Sequence, residues 1–128
     1  MSAGSVSKHD LVLSLKGKAI LNLELKRHIA PKTVGIILRK IPIEGNAHLM
    51  NSNIAFMDTT IIAGGEKLRN QFKKGDVGFL ASNSSIWFFL DDTSSTKSMT
   101  LIGKITSNLE SLKDIKSGDI FSITQVGI

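Results

Sequence analysis

Two segments near the beginning of the chain alternate regularly between apolar and polar residues. Leucine occupies every second position from Leu11 to Leu15 and again from Leu21 to Leu25, on either side of a Lys-Gly-Lys turn at 16–18. Period two on both sides of a short glycine turn is typical of a β-hairpin in which each strand buries one face. The pattern therefore predicts such a hairpin, with its leucines in a core.

The segment 31–41 has a helical period instead. Pro31 suits the first turn of a helix, where its missing N–H would have no partner, and Pro42 ends the run. The apolar residues between them follow the i, i+3, i+4, i+7 spacing and are Val34, Ile37, Leu38 and Ile41. At about 100° per residue, this spacing predicts a helix that buries the apolar stripe and exposes a basic face opposite it.

Short apolar segments between glycines and polar turns make up the rest of the chain. Strands are expected over 45–62, 77–80, 86–90, 99–105 and 119–126, a helical turn over 66–72 and a polar loop over 91–97. Ser107 and Glu110 form a capping box, which predicts a second helix over 108–116. This inventory predicts a mainly β fold: a closed or nearly closed β-barrel of about seven or eight strands with two capping α-helices.

The composition narrows the class of protein. The chain has 128 residues, 41% of them hydrophobic, and no cysteine, which suits one domain without disulfides or thiolate metal sites. Residues 1–8 are small and polar, so we expect a flexible leader before a single domain over 9–128. Charges interrupt the apolar runs and no secretory signal is visible, so a cytoplasmic protein without a membrane segment is expected. The three histidines are too scattered for a metal site, and no cofactor is expected.

Most of the formal net charge of +5 comes from one segment without acidic residues. Its basic residues are Lys26, Arg27, Lys32, Arg39 and Lys40. Such a surface can meet phosphates, so a nucleic-acid- or ribosome-associated accessory protein is one alternative. A solvated face that keeps the protein soluble is the preferred interpretation. Because no aromatic residues are interleaved with these charges for base stacking, nucleic acid is not the expected partner.

Four segments resemble motifs of the cyclophilins. Residues 30–33 (Ala-Pro-Lys-Thr) are similar to the beginning of the first cyclophilin helix, and residues 85–90 stand where cyclophilins carry S-Q-F-F-I. Residues 75–80 and 102–118 resemble the G-D-V-G/A-Y-W and I-G-K-I-V-x-G-L-x-x-L-K-x-I-K-x-G motifs of a small prokaryotic cyclophilin-like family with Thermotoga and archaeal members. The resemblance spans about residues 10–126 and implies a cyclophilin-like closed barrel.

The resemblance also implies a ligand groove on the outer wall of the barrel. Phe88 matches the second phenylalanine of S-Q-F-F, and Asn83 matches the peptide-contacting asparagine before it. Met99 stands at the position of the pocket histidine, and Met50 ends the segment that corresponds most nearly to the catalytic strand. Because neighbouring residues of a strand point to opposite faces, this alignment places Phe88 on the outer wall and Trp87 in the interior.

The departures from the cyclophilin pattern bear on activity. Cyclophilin catalysis depends on an arginine in an F-H-R-x-I strand, whereas Arg27, Arg39 and Arg69 lie in other contexts. Without that arginine, the groove lacks the electrostatic help that rotation about an X-Pro bond requires. We therefore expect a non-catalytic binding domain for a peptide or small apolar ligand, with a weak peptidyl-prolyl isomerase as the enzyme alternative and a homodimer left open. Four residues are candidates for an adaptable groove, with core packing as the preferred interpretation: Met50, Met57, Met99 and Phe56.

Overall fold

Nine β-strands make up most of the chain in the computed structural model, which describes residues 8–126. They are β1 (Lys8–Leu15), β2 (Ala19–Lys26), β3 (Ile43–Met50), β4 (Ile54–Asp58), β5 (Arg69–Phe72), β6 (Asp76–Leu80), β7 (Ser85–Phe89), β8 (Thr93–Ile105) and β9 (Ile120–Gln125). An α-helix, α1 (Pro31–Lys40), follows β2, and a 3₁₀ helix (Leu109–Asp114) precedes β9. The predicted flexible leader lies outside the described residues, except for Lys8 at the start of β1.

Eight of these strands close into an antiparallel barrel. Their order is β2-β1-β9-β3-β4-β7-β6-β8, and β8 pairs back onto β2, with Leu25 opposite Gly103. The two strands approach so closely at this seam that a Cβ on Gly103 would lie 2.0 Å from the carbonyl oxygen of Glu24. Only glycine fits there. The mainly β fold and the closed barrel expected from the sequence are confirmed.

The predicted leucine hairpin supplies much of the core. β1 and β2 pair with Leu13 opposite Leu21, and every leucine of the two strands is at most 3% exposed. Because alternate residues of a strand point to the same face, all of these leucines point into the barrel. The hairpin and its buried face are therefore confirmed.

α1 packs against β2 and β8, with a buried stripe that differs in part from the predicted one. Leu38 and Ile41 are only half-buried. Thr33, in the first turn of the helix, is buried instead, because its N–H and hydroxyl donate to the Glu66 carboxylate at 2.8 and 2.9 Å. The buried residues of the helix are Thr33, Val34, Gly35 and Ile37.

The second predicted helix is a short 3₁₀ helix, and its predicted capping box is wrong. The preceding residue, Asn108, has a left-handed backbone (φ 58°) and makes no side-chain cap. Ser107 Oγ instead accepts a hydrogen bond from the N–H of Asn22 in β2 at 3.2 Å, and Glu110 pairs with Lys113 at 2.9 Å. The capping residues thus have other partners. Within residues 8–126, no helix is long and apolar enough to cross a membrane.

The ninth strand, β5, lies outside the barrel. It pairs only with β8 among the described residues, with Phe72 opposite Thr93. We call β5 and residues 93–98 of β8 the flap. The helical turn predicted over 66–72 and the loop predicted over 91–97 are wrong, because residues 69–72 and 93–97 belong to strands that pair at Gln71–Ser94 and Phe72–Thr93. Phe72 stacks on Phe89 at a centroid distance of 4.3 Å, so the flap covers the outside of β7.

Candidate functional site

Strand β7 is buried on both faces, for two different reasons. Ile86, Phe88 and Leu90 point into the barrel and belong to its core. Trp87 and Phe89 point outward and belong to a second apolar cluster beneath the flap. The sequence predicted that both faces are apolar, and the flap is what buries the outer one.

The predicted orientation of Trp87 and Phe88 is wrong. Phe88 lies opposite Ala55 and Val77, two residues of the barrel core, and is fully buried among core residues. Trp87 lies opposite Phe56 and occupies the outer face. Because strand side chains alternate, an alignment displaced by one residue exchanges the two faces of a strand. The match of residues 85–88 to S-Q-F-F is displaced by one residue in this way.

A row of stacked rings crosses the outer wall of the barrel. His48 on β3 stacks on Phe56 of β4 at a centroid distance of 4.7 Å, and Phe56 stacks on Trp87 at 5.1 Å. His48 also pairs with Asp58, with 2.8 Å between Nε2 and Oδ2. The cross-strand registers of β3, β4 and β7 align these rings on one face. The three rings therefore form a continuous aromatic surface that extends from Trp87, beneath the flap, across β4 to β3.

A groove lies on this surface between the β3–β4 turn and the flap. It encloses about 470 Å³, which is within the usual range of ligand pockets. Its floor is apolar and consists of Met50, Ile54, Phe56 and Trp87. Its rim is polar and consists of Asn51, Asn53, Asn83, Thr93, Ser94, Ser95, Thr96 and Lys97. An apolar floor with a polar rim is typical of a binding groove.

Two hydrogen bonds connect the floor of the groove to its rim. The indole Nε1–H of Trp87 donates to Ser85 Oγ at 2.7 Å, and Ser85 Oγ lies 2.5 Å from Asn83 Oδ1. Ser85 is completely buried, whereas Asn83 is exposed. The chain Trp87–Ser85–Asn83 therefore joins a buried ring to an exposed amide.

The structure brings together only some of the residues predicted for the groove. Asn83 and Met50 line it, as does Phe56, a weaker candidate. Met99 is fully buried in the cluster beneath the flap, and Phe88 is in the barrel core; neither lines the groove. Met57, a weaker candidate, is also in the core.

Sequence reasoning missed the contributions of Trp87 and of residues 93–97. The signal for Trp87 was the two-sided apolar pattern of β7, in which either face could be the outer one. The signal for residues 93–97 was weaker, because a polar segment next to two aspartates favours a loop over a strand.

A second cavity of about 480 Å³ opens beside Arg69, Lys73, Asp76 and Asp92. Its two carboxylates are already used in local structure. Asp76 accepts a hydrogen bond from the Lys73 N–H, and Asp92 accepts one from the Lys74 N–H, both at 2.8 Å. Because both carboxylates are bonded within the turns around β5 and β6, we interpret this cavity as part of those turns and not as a ligand site.

The basic residues predicted to share a surface lie on α1 and the end of β2, which contribute nothing to the groove. Lys26 is half-buried, and Arg27, Lys32, Arg39 and Lys40 are exposed. The Arg27 and Arg39 guanidiniums lie 3.4 and 3.7 Å from the point where a Cβ on Gly35 would stand. Among residues 8–126, none of the five forms an ion pair with a carboxylate.

Comparison with known proteins gives one family and several similar structures. The model of the family described as Cyclophilin-like matches residues 9–124. The solution structure of a hypothetical protein from Archaeoglobus fulgidus has 21% sequence identity and a TM-score of 0.78, covering 94% of this chain and 96% of that one. The structure of McbB in complex with tryptophan has 8% identity and a TM-score of 0.77, covering 92% of this chain and 45% of McbB. No curated protein matches the sequence. At these identities, the two structures show a shared fold alone.

Proposed function

The chain belongs to the cyclophilin-like family, and from that premise we propose that it is a non-catalytic binding domain whose groove takes an extended peptide segment. The observation that carries this proposal is the groove itself, with Trp87 in its floor and a polar rim supplied by Asn83 and residues 93–97. Aromatic floors give affinity through buried apolar area, and a few placed polar groups give orientation.

The free strand edge of the flap, within the described residues, favours a peptide over a purely apolar molecule as the ligand. Residues 93–98 are extended, and Thr93 and Ser94 pair with β5 on one edge before the register shifts over the following residues. Within the described residues, no strand pairs with the other edge of residues 93–98. An unpaired strand edge beside a groove can receive an extended peptide as an additional strand. The main-chain groups at the rim would then complement the apolar contacts at the floor.

The absence of an arginine from the groove argues against catalysis. Among residues 8–126, Arg27 and Arg39 lie at α1 and Arg69 lies on β5, and none of them lines the groove. Rotation about a peptide bond has a barrier of about 18–20 kcal/mol, and lowering it needs electrostatic stabilisation of the twisted amide. A weak peptidyl-prolyl isomerase remains the runner-up, and a protease-coupled isomerisation assay on the parent protein tests it directly.

The chain contains a single tryptophan, so its fluorescence reports on the floor of the groove. We expect capped tetrapeptides to change the emission of Trp87 in a saturable way. Thr96→Arg, at the exposed rim, should abolish the change, because the longer side chain occupies the groove. The matched control is Thr60→Arg, an exposed threonine outside the groove, which should leave binding unchanged.

Three results would contradict the proposal. The first is that no peptide changes the emission, and the second is that both arginine variants bind like the parent. The third is turnover in the isomerisation assay that Thr96→Arg abolishes, which would favour the enzyme. Tryptophan, the molecule present in the McbB structure, serves as the small-ligand arm and is followed by NMR. Binding of tryptophan without binding of any peptide would replace the peptide with a small ligand.

A second candidate function rests on the pair of guanidiniums beside Gly35. Two like charges near one point, without a carboxylate partner in the described part of the chain, suit a phosphate group that accepts hydrogen bonds from both. This arrangement favours a nucleic acid that binds through its phosphate backbone, without contacts to its bases. Under this hypothesis, an oligonucleotide binds with an affinity that falls steeply with salt. Arg27→Ala should weaken binding and reduce the slope, whereas Lys73→Ala, at an exposed lysine between β5 and β6, should not.

A further inference from the structure

Ser85 lies between a group that can only donate and a group that can accept. The Trp87 indole N–H has no acceptor capacity, so in the 2.7 Å contact it donates and Ser85 Oγ accepts. Ser85 then has one hydrogen left, its own hydroxyl hydrogen. Because Ser85 is completely buried, leaving that hydrogen without an acceptor would be costly.

The distance to Asn83 indicates where this hydrogen goes. Ser85 Oγ and the terminal atom of Asn83 are 2.5 Å apart, which is at the short end of the range for O–H···O bonds and below the range for N–H···O bonds. The atom facing Ser85 is therefore the carbonyl Oδ1 of Asn83, and the hydroxyl donates to it. This also satisfies the buried hydroxyl. The orientation of the Asn83 amide is therefore set by the Trp87 indole, which lies two residues after Ser85 and can only donate a hydrogen bond.

We propose that this chain makes Asn83 a fixed hydrogen-bond donor at the groove, so that the groove selects ligands that present a carbonyl oxygen. With Oδ1 occupied by Ser85, the Nδ2 hydrogens of the exposed amide remain for a ligand at the rim. The inference rests on the proposed function and names its ligand chemistry: the carbonyl of a peptide bond. Ser85 acts through Asn83 and is a positioning residue.

The first test removes the donor and keeps the shape. Asn83→Asp replaces the amide with an acceptor-only group at an exposed site, so the protein should fold normally. The probe is the capped tetrapeptide that binds most tightly to the parent, together with analogues in which one carbonyl at a time becomes a thiocarbonyl, a weaker acceptor. Calorimetry should show one analogue that binds the parent about 3- to 10-fold more weakly. Asn83→Asp should bind the unmodified peptide more weakly by at least that factor and should no longer discriminate against that analogue.

The second test addresses Ser85 without relying on affinity. The single tryptophan gives one indole N–H signal in a ¹H–¹⁵N spectrum, and in the parent this proton should exchange slowly with solvent. In Ser85→Ala the signal should shift and exchange faster. Because Ser85 acts through Asn83, the Ser85→Ala, Asn83→Asp double variant should lose little more peptide affinity than Asn83→Asp alone.

The outcomes separate this inference from the proposed function. If no peptide binds the parent, both are overturned. If peptides bind but Asn83→Asp keeps both the affinity and the discrimination between the peptide and its thiocarbonyl analogues, the selection of carbonyls is wrong while the groove remains a peptide site. If Ser85→Ala leaves the indole signal unchanged, or if its effect on affinity adds fully to that of Asn83→Asp, Ser85 does not position Asn83.

Discussion

The closed barrel and the flap are both β-structure, yet they differ in how each strand is held. Every barrel strand has a partner on both sides, and their side chains share one continuous core. Within residues 8–126, β5 has a partner on one side only, and the flap covers a smaller cluster. The buried members of that cluster are Ile54, Phe72, Leu80, Trp87, Phe89 and Met99. The two regions meet at β7, which contributes one face to each.

This difference indicates where the molecule can open. Removing a barrel strand breaks two ladders, whereas moving the flap breaks the contacts of one outer cluster. Segments with few partners open at lower free energy than the global unfolding of a domain. The groove lies beside the flap, so we expect the proposed peptide to enter through local movement of the rim, with the floor held in place by the barrel.

The largest expected effect tests the barrel side of β7. Phe88→Ala should lower the free energy of unfolding by about 3–5 kcal/mol, because it leaves a cavity among core residues that cannot move into it. Urea denaturation followed by circular dichroism measures the change. The control is Ile62→Ala, at a side chain that is 85% exposed, which should stay within about 0.5 kcal/mol of the parent. A small effect at Phe88 would mean that this ring is not in the barrel core.

A matched pair of methionines compares the two regions directly. Met57 and Met99 are both completely buried, Met57 in the barrel core and Met99 beneath the flap. Met57→Ala should cost about 3–5 kcal/mol and Met99→Ala about 2–3 kcal/mol, because the flap can close into the space that Met99 leaves. Hydrogen exchange should accelerate in β5 for Met99→Ala, with β1 and β2 unchanged. Equal costs, or protection lost throughout the barrel, would show that the flap is as rigid as the barrel.

The barrel could be predicted from the sequence because its strands carry their own pattern. The leucines of β1 and β2 alternate over whole strands, so period two indicates both the strands and their buried face. The residues of α1 have a helical period between two prolines. The phase of α1 was only partly right, because Thr33 is buried by its bonds to Glu66, a residue distant in the chain.

The flap and the groove could not be predicted in the same way. Residues 69–71 and 93–97 are polar, and their strands depend on pairing between β5 and β8, with Gln71 and Phe72 opposite Ser94 and Thr93. Trp87 and Phe88 are both apolar and adjacent, so the pattern of β7 does not distinguish its outer face from its inner one. The registers with β4 and β6 decide it. Asn83 was predicted by resemblance alone, and Met50 by resemblance and by the adaptability of methionine. Ser85, which connects Asn83 to Trp87, has no signal in sequence.

The smallest expected effect concerns Glu66, which anchors the segment between β4 and β5. Its carboxylate accepts hydrogen bonds from the first turn of α1, and its own N–H donates to Thr100 Oγ1 at 2.8 Å. Burial alone raises the pKa of Glu66, but the hydrogen bonds from Thr33 and Lys32 and the charge of Lys32 outweigh it and hold that pKa below its usual value. The segment leading into the flap is therefore tied to α1 by an ionised carboxylate and to β8 by a backbone N–H.

This anchor should make stability depend on acid pH. Since the pKa of Glu66 is lower in the folded than in the unfolded protein, ionised Glu66 stabilises the fold fully above the unfolded pKa of about 4.3. The contribution is lost as the pH falls through the folded pKa. Glu66→Gln keeps the shape without the charge and should cost about 1 kcal/mol at pH 7, the usual size of a helix cap. Urea denaturation at pH 7 and pH 3 should show this difference shrinking at pH 3. A difference that is the same at both pH values would mean that the charge of Glu66 does not hold α1 to the segment before the flap.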